Sequence, residues 1–420
     1  MKVYKFGGAS VSSIERIKAT AAIAKTVSEE LILIVISAMG KTTNALERVA
    51  EAFYGKQRDE AINLFTAIKV DHLSTAKQLL AQNYLETESR LAGFFTEIEW
   101  MLYDNPVREY DYYYDQIVCI GELLSTAIVS AYFNEVGITN TWIDVRDVLR
   151  SDDEFREATI DWNFSLQRTE LIIQPLLQSI GMVITQGFIA ATDENESTTL
   201  GREGSDYTAA VFANMLNAES LTIWKDVKGV LNADPRQFKE AALISELNYK
   251  EVLEMAYYGA QVIHPKTIKP LQNKNIPMYV KCFLDSSLPG TIIHDGSIKA
   301  LPPIIVIKTE QVLLQMTSND FSFISDQVDG QFYRLFQQYH IKPNITQNGA
   351  ISFVCVIDDH AEKINTLALD LSQTFNVQIE KNLTLITIKH YTQDVLDELT
   401  LGKHILLKQQ WQDTVQIVIR

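Results

Sequence analysis

The sequence predicts an α/β fold, with a mainly parallel sheet in the first 297 residues and a smaller region after it. Strand and helix patterns alternate over roughly 290 residues, as they do in βαβ units. Residues 31–36 are apolar at every position, which is typical of a strand buried on both faces of a parallel sheet. From Pro302-Pro303 onward, shorter strands and helices follow one another in a different order. We therefore expect one domain over 1–297 and a second region over 298–420.

The composition is that of a soluble globular protein with two or three domains. The chain has 420 residues, of which 46% are hydrophobic and 21% are charged. The first residues contain no signal-peptide core, and the apolar run 31–39 is far too short to span a membrane. Cys119, Cys282 and Cys355 are scattered, which favours a reducing compartment. We expect a cytoplasmic protein that does not associate with membranes.

The net charge of −16 argues against nucleic-acid binding, which requires a basic surface. An anionic substrate would therefore need local lysines, arginines, backbone N–H groups or a metal ion to overcome the overall field. The seven histidines show no metal-ligand spacing, so we predict no metal site built by the protein alone.

The first strand pattern, residues 3–6, ends in two glycines, and a helix pattern over 14–24 follows. Glycines between a strand and a helix allow a phosphate to approach backbone N–H groups closely. Lys5 lies at the strand end, where its ammonium could reach the same anion. A Gly-Gly turn alone does not establish such a phosphate cradle.

The second strand, 31–36, leads to Gly40-Lys41-Thr42, which looks like the end of a P-loop. A P-loop needs a glycine five positions before Gly40, and Val35 stands there, so we reject that motif. Residues 45–115 are predicted to be mainly helical. The tyrosine-rich cluster at 110–114 does not indicate a chemical role.

Glu122 lies within an apolar helix predicted to extend from residue 117 to 133. An unpaired carboxylate in such surroundings is costly, so Glu122 needs a partner from elsewhere, and a substrate ammonium would serve. A strand over 141–145 and a helix over 169–179 are predicted next.

A strand at 182–187 and a polar loop precede the segment 201–210, which begins another helix. Ser205 and Asp206 fall where free N–H groups and the positive helix end favour an anion. Both residue types are also common N-caps, so this stretch alone does not decide between a structural helix cap and a functional anion site. The patterns that follow are a strand over 220–226, helices over 249–258 and after Pro265, and a strand over 276–282.

The strand and helix patterns of the C-terminal region fit a ferredoxin-like module, whose order is β-α-β-β-α-β. Strand patterns occur at 312–317, 351–357 and 383–388, and helix patterns at 330–339 and 361–375. Residues 390–420 contain one short helix pattern and two strand patterns, 404–407 and 414–419. A second module would therefore be truncated.

Taken together, the short motifs of this chain resemble those of aspartate kinases in the amino acid kinase superfamily. The resemblance covers essentially the whole chain, in the family's order, and ends in the ACT region that such kinases carry. The motifs are residues 5–11, 37–44, 121–125, 185–188, 198–202, 204–207, 226–236 and 259–265.

The resemblance implies a three-layer sandwich with a mainly parallel sheet, then a ferredoxin-like ACT module at 310–389 and a truncated second one. It also implies phosphorylation of the L-aspartate side-chain carboxylate to 4-phospho-L-aspartate, with ATP and Mg²⁺, as the first step towards lysine, threonine and methionine. That carboxylate has a pKa of ~3.9 and is ionised at neutral pH. Alignment and charge neutralisation can therefore replace a general base.

The residue roles implied by the resemblance follow the matched motif positions. Lys5 would neutralise charge on the transferring phosphoryl group, and Asp206 would orient Lys5 or organise Mg²⁺. Glu122 would pair with the substrate ammonium, and Arg202 would bind its α-carboxylate. The other matched positions are Ser37, Thr43 and Ser205 for substrate, and Lys5, Gly7, Gly8, Ala9, Ser10, Lys225, Asp226, Leu231, Arg236, Gln261 and Val262 for nucleotide.

Four positions depart from the family pattern. Ala9 removes a hydroxyl near the phosphates, and Glu203 adds a negative charge. Lys225 and Gln261 replace the usual threonine and lysine, which can move one cation rather than delete it. These departures concern ATP affinity more than the reaction.

In the resembling family, paired ACT modules bind an end-product amino acid at a subunit interface. We expect a homodimer, or a tetramer, held through the ACT region. Asn344 matches the carboxylate that binds the lysine ammonium in lysine-sensitive relatives. An amide is a poorer partner for an ammonium, so we predict weak or no inhibition by lysine.

Two other functions remain open. One is another carboxylate kinase of the superfamily, acting on glutamate or acetylglutamate, which the Gly121-Glu122 motif and the ACT region disfavour. The other is a non-catalytic amino-acid sensor built on a kinase relic, which would not need Lys5 and Asp206 together.

Overall fold

The computed structural model describes residues 1–260, 263–298, 300–320, 322–324 and 326–420, with only the backbone described for 326–329. The predicted nucleotide-binding residues Gln261 and Val262 lie outside the described residues. Two compact units divide the chain. The first comprises Met1–Val230, Leu243–Ala256 and Gln261–Ile298, and the second comprises Leu231–Ala242, Tyr257–Ala260 and Lys299–Arg420.

Strands and helices alternate through the first unit, as the sequence predicts. The strands are β1 (Lys2–Phe6), β2 (Ile32–Ile36), β3 (Thr141–Trp142), β4 (Met182–Gln186), β5 (Ile189–Ala191), β6 (Ser197–Thr199), β7 (Ser220–Lys225), β8 (Glu246–Asn248), β9 (Met278–Cys282) and β10 (Thr291–His294). The helices are α1 (Ile14–Lys25), α2 (Thr42–Tyr54), α3 (Arg58–Leu79), α4 (Tyr84–Tyr103), α5 (Tyr110–Val118), α6 (Ile120–Glu135), α7 (Trp162–Arg168), α8 (Gln174–Ile180), α9 (Gly204–Met215), α10 (Tyr249–Tyr258) and α11 (Pro265–Gln272).

An eight-stranded sheet in the order β3-β4-β2-β1-β7-β9-β10-β8 organises the first unit, and β5 pairs with β6 separately. Every pairing in the large sheet is parallel except that of β9 with β10. All five residues of β2 are completely buried, as expected where helices cover both faces of a sheet. The predicted α/β fold with a mainly parallel sheet is confirmed.

The helical stretch Tyr110–Glu135 is long and apolar enough to cross a membrane by length and composition, and it is the one such stretch among the described residues. However, 83% of its apolar window is buried inside the protein, and a core helix passes the same test. The stretch is weak evidence for a membrane span. Its two helices meet at Cys119, so the helix predicted from residue 117 begins at Ile120 instead.

The second unit is an antiparallel sheet with helices. Its elements are β11 (Ile304–Ser318), α12 (Asp326–Gln338), β12 (Ile345–Asn348), β13 (Ser352–Asp358), α13 (Ala361–Ser372), β14 (Phe375–Lys389), α14 (Gln393–Thr400), β15 (Ile405–Trp411) and β16 (Thr414–Ile419). The strand order is β12-β13-β11-β14-β16-β15. β11 and β14 have 15 residues each and pair along most of their length, so they run through both halves of the sheet.

The strand predicted over 141–145 is shorter in the structure and ends at Trp142. The reason is local, because Asp144 caps a 3₁₀ turn over Val145–Asp147 by accepting a hydrogen bond from the Arg146 N–H. In contrast, the strand predicted over 312–317 extends to the full length of β11.

Candidate active site

The loops that follow β1, β2, β4 and β7 lie at one edge of the sheet. These strands are neighbours and parallel, with Phe6 paired to both Ile36 and Trp224. Parallel strands place their carboxyl ends together, and ligands of α/β proteins bind at that edge. Gly8 shows how tightly the loops meet, since a Cβ there would lie 2.7 Å from the Ala38 carbonyl oxygen. A side chain at position 8 would therefore force the first two loops apart.

A cavity of about 720 Å³ opens at this edge of the first unit. It brings together all seven predicted catalytic and substrate residues, which come from distant parts of the sequence. The predicted site residues in its lining are Lys5, Gly8, Ser37, Thr43, Glu122, Arg202, Ser205, Asp206 and Lys225.

The Asp206 side chain is held between two lysines. Its Oδ1 atom lies 2.6 Å from Nζ of Lys5, and its Oδ2 atom lies 3.4 Å from Nζ of Lys225. Burial alone would raise the pKa of Asp206, but the two ammonium groups outweigh that effect and lower it. Asp206, Lys5 and Lys225 together therefore have one net positive charge, which favours an anionic ligand.

Glu122 lies on α6 and is 2% exposed. Its Oε1 atom accepts a hydrogen bond from the Ala38 N–H at 3.3 Å, and no described residue is a partner for the buried Oε2 atom. Burial raises the pKa of Glu122 to about 8, and the Ala38 hydrogen bond and the Lys5 charge offset only part of that effect. The structure therefore confirms that this carboxyl is buried, and it leaves the Oε2 atom without a hydrogen-bond partner among the described residues.

Helix α9 begins at the cavity, with Ser205 and Asp206 in its first turn. Gly201 and Glu203 precede it in left-handed backbone conformations, with φ of 74° and 53°. The carboxylate of Glu203 accepts a hydrogen bond from the His264 N–H at 2.9 Å. The extra negative charge at position 203 is thus tied to the backbone before α11, and Glu203 also lines the cavity.

Other predicted nucleotide residues are placed differently. A Cβ on Gly7 would lie 3.4 Å from Nζ of Lys5, so this glycine borders the lysine. The Ala9 carbonyl accepts a hydrogen bond from Arg16, and the Ser10 hydroxyl is buried and donates to the Trp224 carbonyl. Asp226 is exposed after β7, whereas Leu231 and Arg236 belong to the second unit. Arg236 forms an ion pair with Asp234 at 2.7 Å.

Three residues that sequence reasoning missed contribute to the cavity wall. Arg156 and Thr199 line the cavity, and Asp115 lies behind them, fully buried. Burial raises the pKa of Asp115 to about 6, although hydrogen bonds from Thr199 and the Arg156 N–H partly offset the rise. Asp115 follows the tyrosine-rich cluster at 110–114 and gave no chemical signal in the sequence, because its partners are more than 40 residues away in the chain.

Comparisons with known proteins agree with this fold and site. Residues 1–282 match the model of the amino acid kinase family. Since this match covers well over half of the chain, the chain belongs to the amino acid kinase family, as its motifs indicate.

The similar proteins include aspartokinases. The chain is 30% identical over 399 residues to lysine-sensitive aspartokinase 3 of Escherichia coli (strain K12), covering 92% of this chain and 86% of that protein. It is 35% identical over 295 residues to the chloroplastic bifunctional aspartokinase/homoserine dehydrogenase 1 of Zea mays, covering 69% of this chain and 32% of that protein. The chain thus spans about a third of the length of such bifunctional relatives.

Among solved structures, the chain resembles E. coli aspartokinase III in complex with aspartate and ADP. The TM-score is 0.82 at 26% identity, and the alignment covers 100% of this chain and 96% of that chain. This similarity extends the match beyond the kinase family model to the C-terminal unit.

Proposed function

We propose that this protein is an aspartate kinase that transfers the γ-phosphoryl group of ATP to the side-chain carboxylate of L-aspartate. The products are 4-phospho-L-aspartate and ADP. One observation carries the proposal: a single cavity is lined both by Glu122, whose Oε2 atom has no partner among the described residues, and by the two lysines around Asp206. The first group suits an ammonium and the second suits a phosphoryl group. Phosphorylation of an amino acid requires both.

The reaction needs alignment and charge neutralisation rather than a base. A carboxylate oxygen of the substrate attacks the γ-phosphorus, the bond from that phosphorus to the ADP oxygen breaks, and no proton has to move. Lys5 neutralises charge on the phosphoryl group in the transition state. Asp206 holds Lys5 in place at 2.6 Å and does not act as a base, because its lowered pKa keeps it ionised and weakly basic.

Recognition of L-aspartate is assigned to the cavity walls. Glu122 receives the substrate ammonium at its open oxygen, and Arg202 binds the α-carboxylate. Ser37 and Thr43 from the loop after β2, and Ser205 from the first turn of α9, contribute hydroxyl groups to the same cavity. Each charged group of the substrate then has a partner of opposite charge, because Arg202 binds the α-carboxylate and the side-chain carboxylate faces Lys5.

ATP binding is proposed at the loop after β1 and around Lys225. The roles of Gly7, Ala9, Ser10, Asp226, Leu231, Arg236, Gln261 and Val262 stay predictions. In the part of the chain that the structure describes, no three His, Cys, Asp or Glu side chains are grouped to hold a metal. Mg²⁺ in kinases binds mainly to nucleotide phosphates and one or two carboxylates. We assign it to ATP, with Asp206 as the protein carboxylate, and it would neutralise phosphate charge.

The second unit is proposed to hold a homodimer, or a tetramer built from it. It exposes large apolar side chains, including Phe323, Leu369, Leu401 and Trp411, which a subunit contact would cover. Sedimentation velocity tests the assembly, and a monomer at micromolar concentration would contradict it. The cytoplasmic location stays a prediction.

A hydroxamate assay tests the reaction. Purified protein is incubated with ATP, Mg²⁺, hydroxylamine and L-aspartate, L-glutamate or N-acetyl-L-glutamate, since hydroxylamine traps acyl phosphates. We expect the aspartate hydroxamate alone. A product only from glutamate or acetylglutamate would identify another carboxylate kinase. Aspartate binding by calorimetry without any hydroxamate would identify a sensor.

A further inference from the structure

We propose that Arg156 contacts the substrate, binding its α-carboxylate together with Arg202, and that Asp115 is the buried residue that positions Arg156. This inference rests on the proposed function, because it concerns how that same site recognises its amino acid. Four observations support it, from the backbone, the buried carboxylate, the guanidinium and the neighbouring loop.

The backbone of Arg156 is in the left-handed region, with φ of 72°. That conformation is unfavourable for a residue with a Cβ and is freely available to glycine. Glycine at this position would remove the strain, but the chain has an arginine there. Strained backbone of this kind concentrates at ligand-binding sites.

Asp115 fixes this conformation from inside the protein. Its Oδ2 atom accepts hydrogen bonds from the Arg156 N–H at 2.9 Å and the Thr199 N–H at 2.8 Å. Its Oδ1 atom accepts one from the Thr199 hydroxyl at 2.7 Å. Asp115 is completely buried. A single carboxylate therefore joins α5 to two wall segments that both line the cavity.

The guanidinium of Arg156 retains donors for a ligand. Its Nη1 atom donates to Asp111 at 3.2 Å, and its Nη2 atom lies 3.9 Å from Glu47. Both carboxylates are partly exposed, and such ion pairs contribute little. The planar group also lies 4.4 Å from the Tyr114 ring centre. Of five N–H donors, the Asp111 bond uses one, so a substrate carboxylate can accept two parallel hydrogen bonds.

The neighbouring loop brings Arg202 to the same wall. A Cβ on Gly201 would lie 3.3 Å from the Arg156 carbonyl oxygen, so the two backbones are in contact there. Arg202 follows Gly201 directly, and both arginines line the cavity with Glu122. Asp111, Glu157 and Glu203 also line the cavity; Asp111 pairs with Arg156, and Glu203 accepts a hydrogen bond from the His264 N–H. Arg156, Arg202 and Glu122 together suit an amino acid whose α-carboxylate is bound while its second carboxylate reacts.

L-Isoasparagine tests the assignment, because it keeps the ammonium and the reacting carboxylate but has an uncharged amide in place of the α-carboxylate. The quantity measured is the ratio of kcat/KM for L-aspartate to kcat/KM for L-isoasparagine, from ADP release. Arg156→Gly should lower this ratio about tenfold or more, while the KM for ATP stays within about twofold. Arg156→Lys keeps the positive charge but loses the paired N–H donors of the guanidinium. Its ratio should therefore lie between those of the wild type and Arg156→Gly. The Tm of Arg156→Gly should equal or exceed that of the wild type.

The matched control is Arg108→Ala. Arg108 also pairs with a carboxylate, Glu196, and lies 3.7 Å from a tyrosine ring centre, but it is not among the residues that line the cavity. Its loss should leave the ratio unchanged. Asp115→Asn should lower the ratio as Arg156→Gly does, and the double variant should show no further loss, since both changes act through one guanidinium.

Two results separate the possible failures. If the wild type phosphorylates L-aspartate and Arg156→Gly keeps the full ratio, the role of Arg156 is overturned and the proposed function stands. If the wild type forms no acyl phosphate from L-aspartate, both are overturned.

Discussion

The Nζ atom of Lys225 lies 3.4 Å from Oδ2 of Asp206, on the carboxylate whose other oxygen is 2.6 Å from Lys5. Position 225 is one where the resembling family usually has threonine, so this chain brings an additional cation to the buried carboxylate. Removing either lysine leaves Asp206 with the other as a partner. Each lysine can therefore be tested without leaving a buried carboxylate unpaired, which would be strongly destabilising.

Lys5→Met should lower kcat by ~10²–10³, because it removes a cation from the transferring phosphoryl group. The affinity for L-aspartate should change little. Steady-state kinetics with ADP detection gives both values. Lys2→Met is the matched control, since Lys2 is on the same strand and pairs with Glu30 instead. Near-normal turnover in Lys5→Met would refute the phosphate role of this loop.

Lys225→Met should raise the KM for ATP about tenfold, since a charge-assisted contact to a phosphate is lost. The KM for L-aspartate should stay within about twofold. Lys228→Met provides the control, because Lys228 is exposed three residues further along and is not among the cavity residues. Equal effects of the two substitutions would show that Lys225 acts only through the overall charge.

Glu122→Gln should weaken L-aspartate binding by about 1.5–3 kcal/mol and spare ATP. The wild type should also bind L-aspartate more tightly as the pH rises from 6 to 8. In the free enzyme the pKa of Glu122 is raised to about 8, and the ammonium requires the ionised form. Calorimetry in buffers of different ionisation enthalpy should detect proton release on binding. A flat pH profile in the wild type, or weakened ATP binding in Glu122→Gln, would contradict the ammonium role.

The same carboxyl has a consequence for stability without substrate. The folded protein holds the Glu122 proton more tightly than the unfolded chain, whose ordinary value is 4.5. Stability is therefore lost as the pH rises from about 4.5 towards 8. Glu122→Gln should raise the Tm at pH 8 and change it little at pH 4.5, which differential scanning fluorimetry measures. A lower Tm at pH 8 would mean that the carboxylate has a partner in the free enzyme.

Local patterns in the sequence were enough to predict the parallel sheet and to single out Lys5, Glu122 and Asp206, whereas Ser37, Thr43, Arg202 and Lys225 were assigned through the family resemblance. The run at 31–36, the glycines after β1 and the lone carboxylate in an apolar helix are all visible in the sequence. Arg156 and Asp115 were missed because their proposed roles depend on a left-handed residue in a patternless loop and on contacts across 41 residues. The short strands β8 and β10 lack a periodic pattern of their own; β10 pairs with β9, and β8 pairs with β10.

The side chain of Asn344 is fully engaged within the second unit. Its Oδ1 atom accepts a hydrogen bond from Lys308 at 2.8 Å. Its Nδ2 atom donates to Gln311 at 2.8 Å and to Asp358 at 3.0 Å. Burial lowers the pKa of Lys308, while the Asp358 charge favours its ammonium form. Lys308 thus occupies the Asn344 oxygen, which is the acceptor that the family resemblance predicts for an effector ammonium.

We therefore predict that free lysine inhibits weakly or not at all. An incoming ammonium would have to displace Lys308 from Asn344 and would gain only an amide oxygen, a weaker acceptor than a carboxylate. Activity is measured against lysine, threonine and methionine at millimolar concentration, alone and in pairs. Lysine alone should reduce the rate less than about twofold and leave the Tm unchanged, because a ligand that does not bind gives no stabilisation. Strong inhibition by lysine alone, with a raised Tm, would show that the Asn344 network opens for the effector.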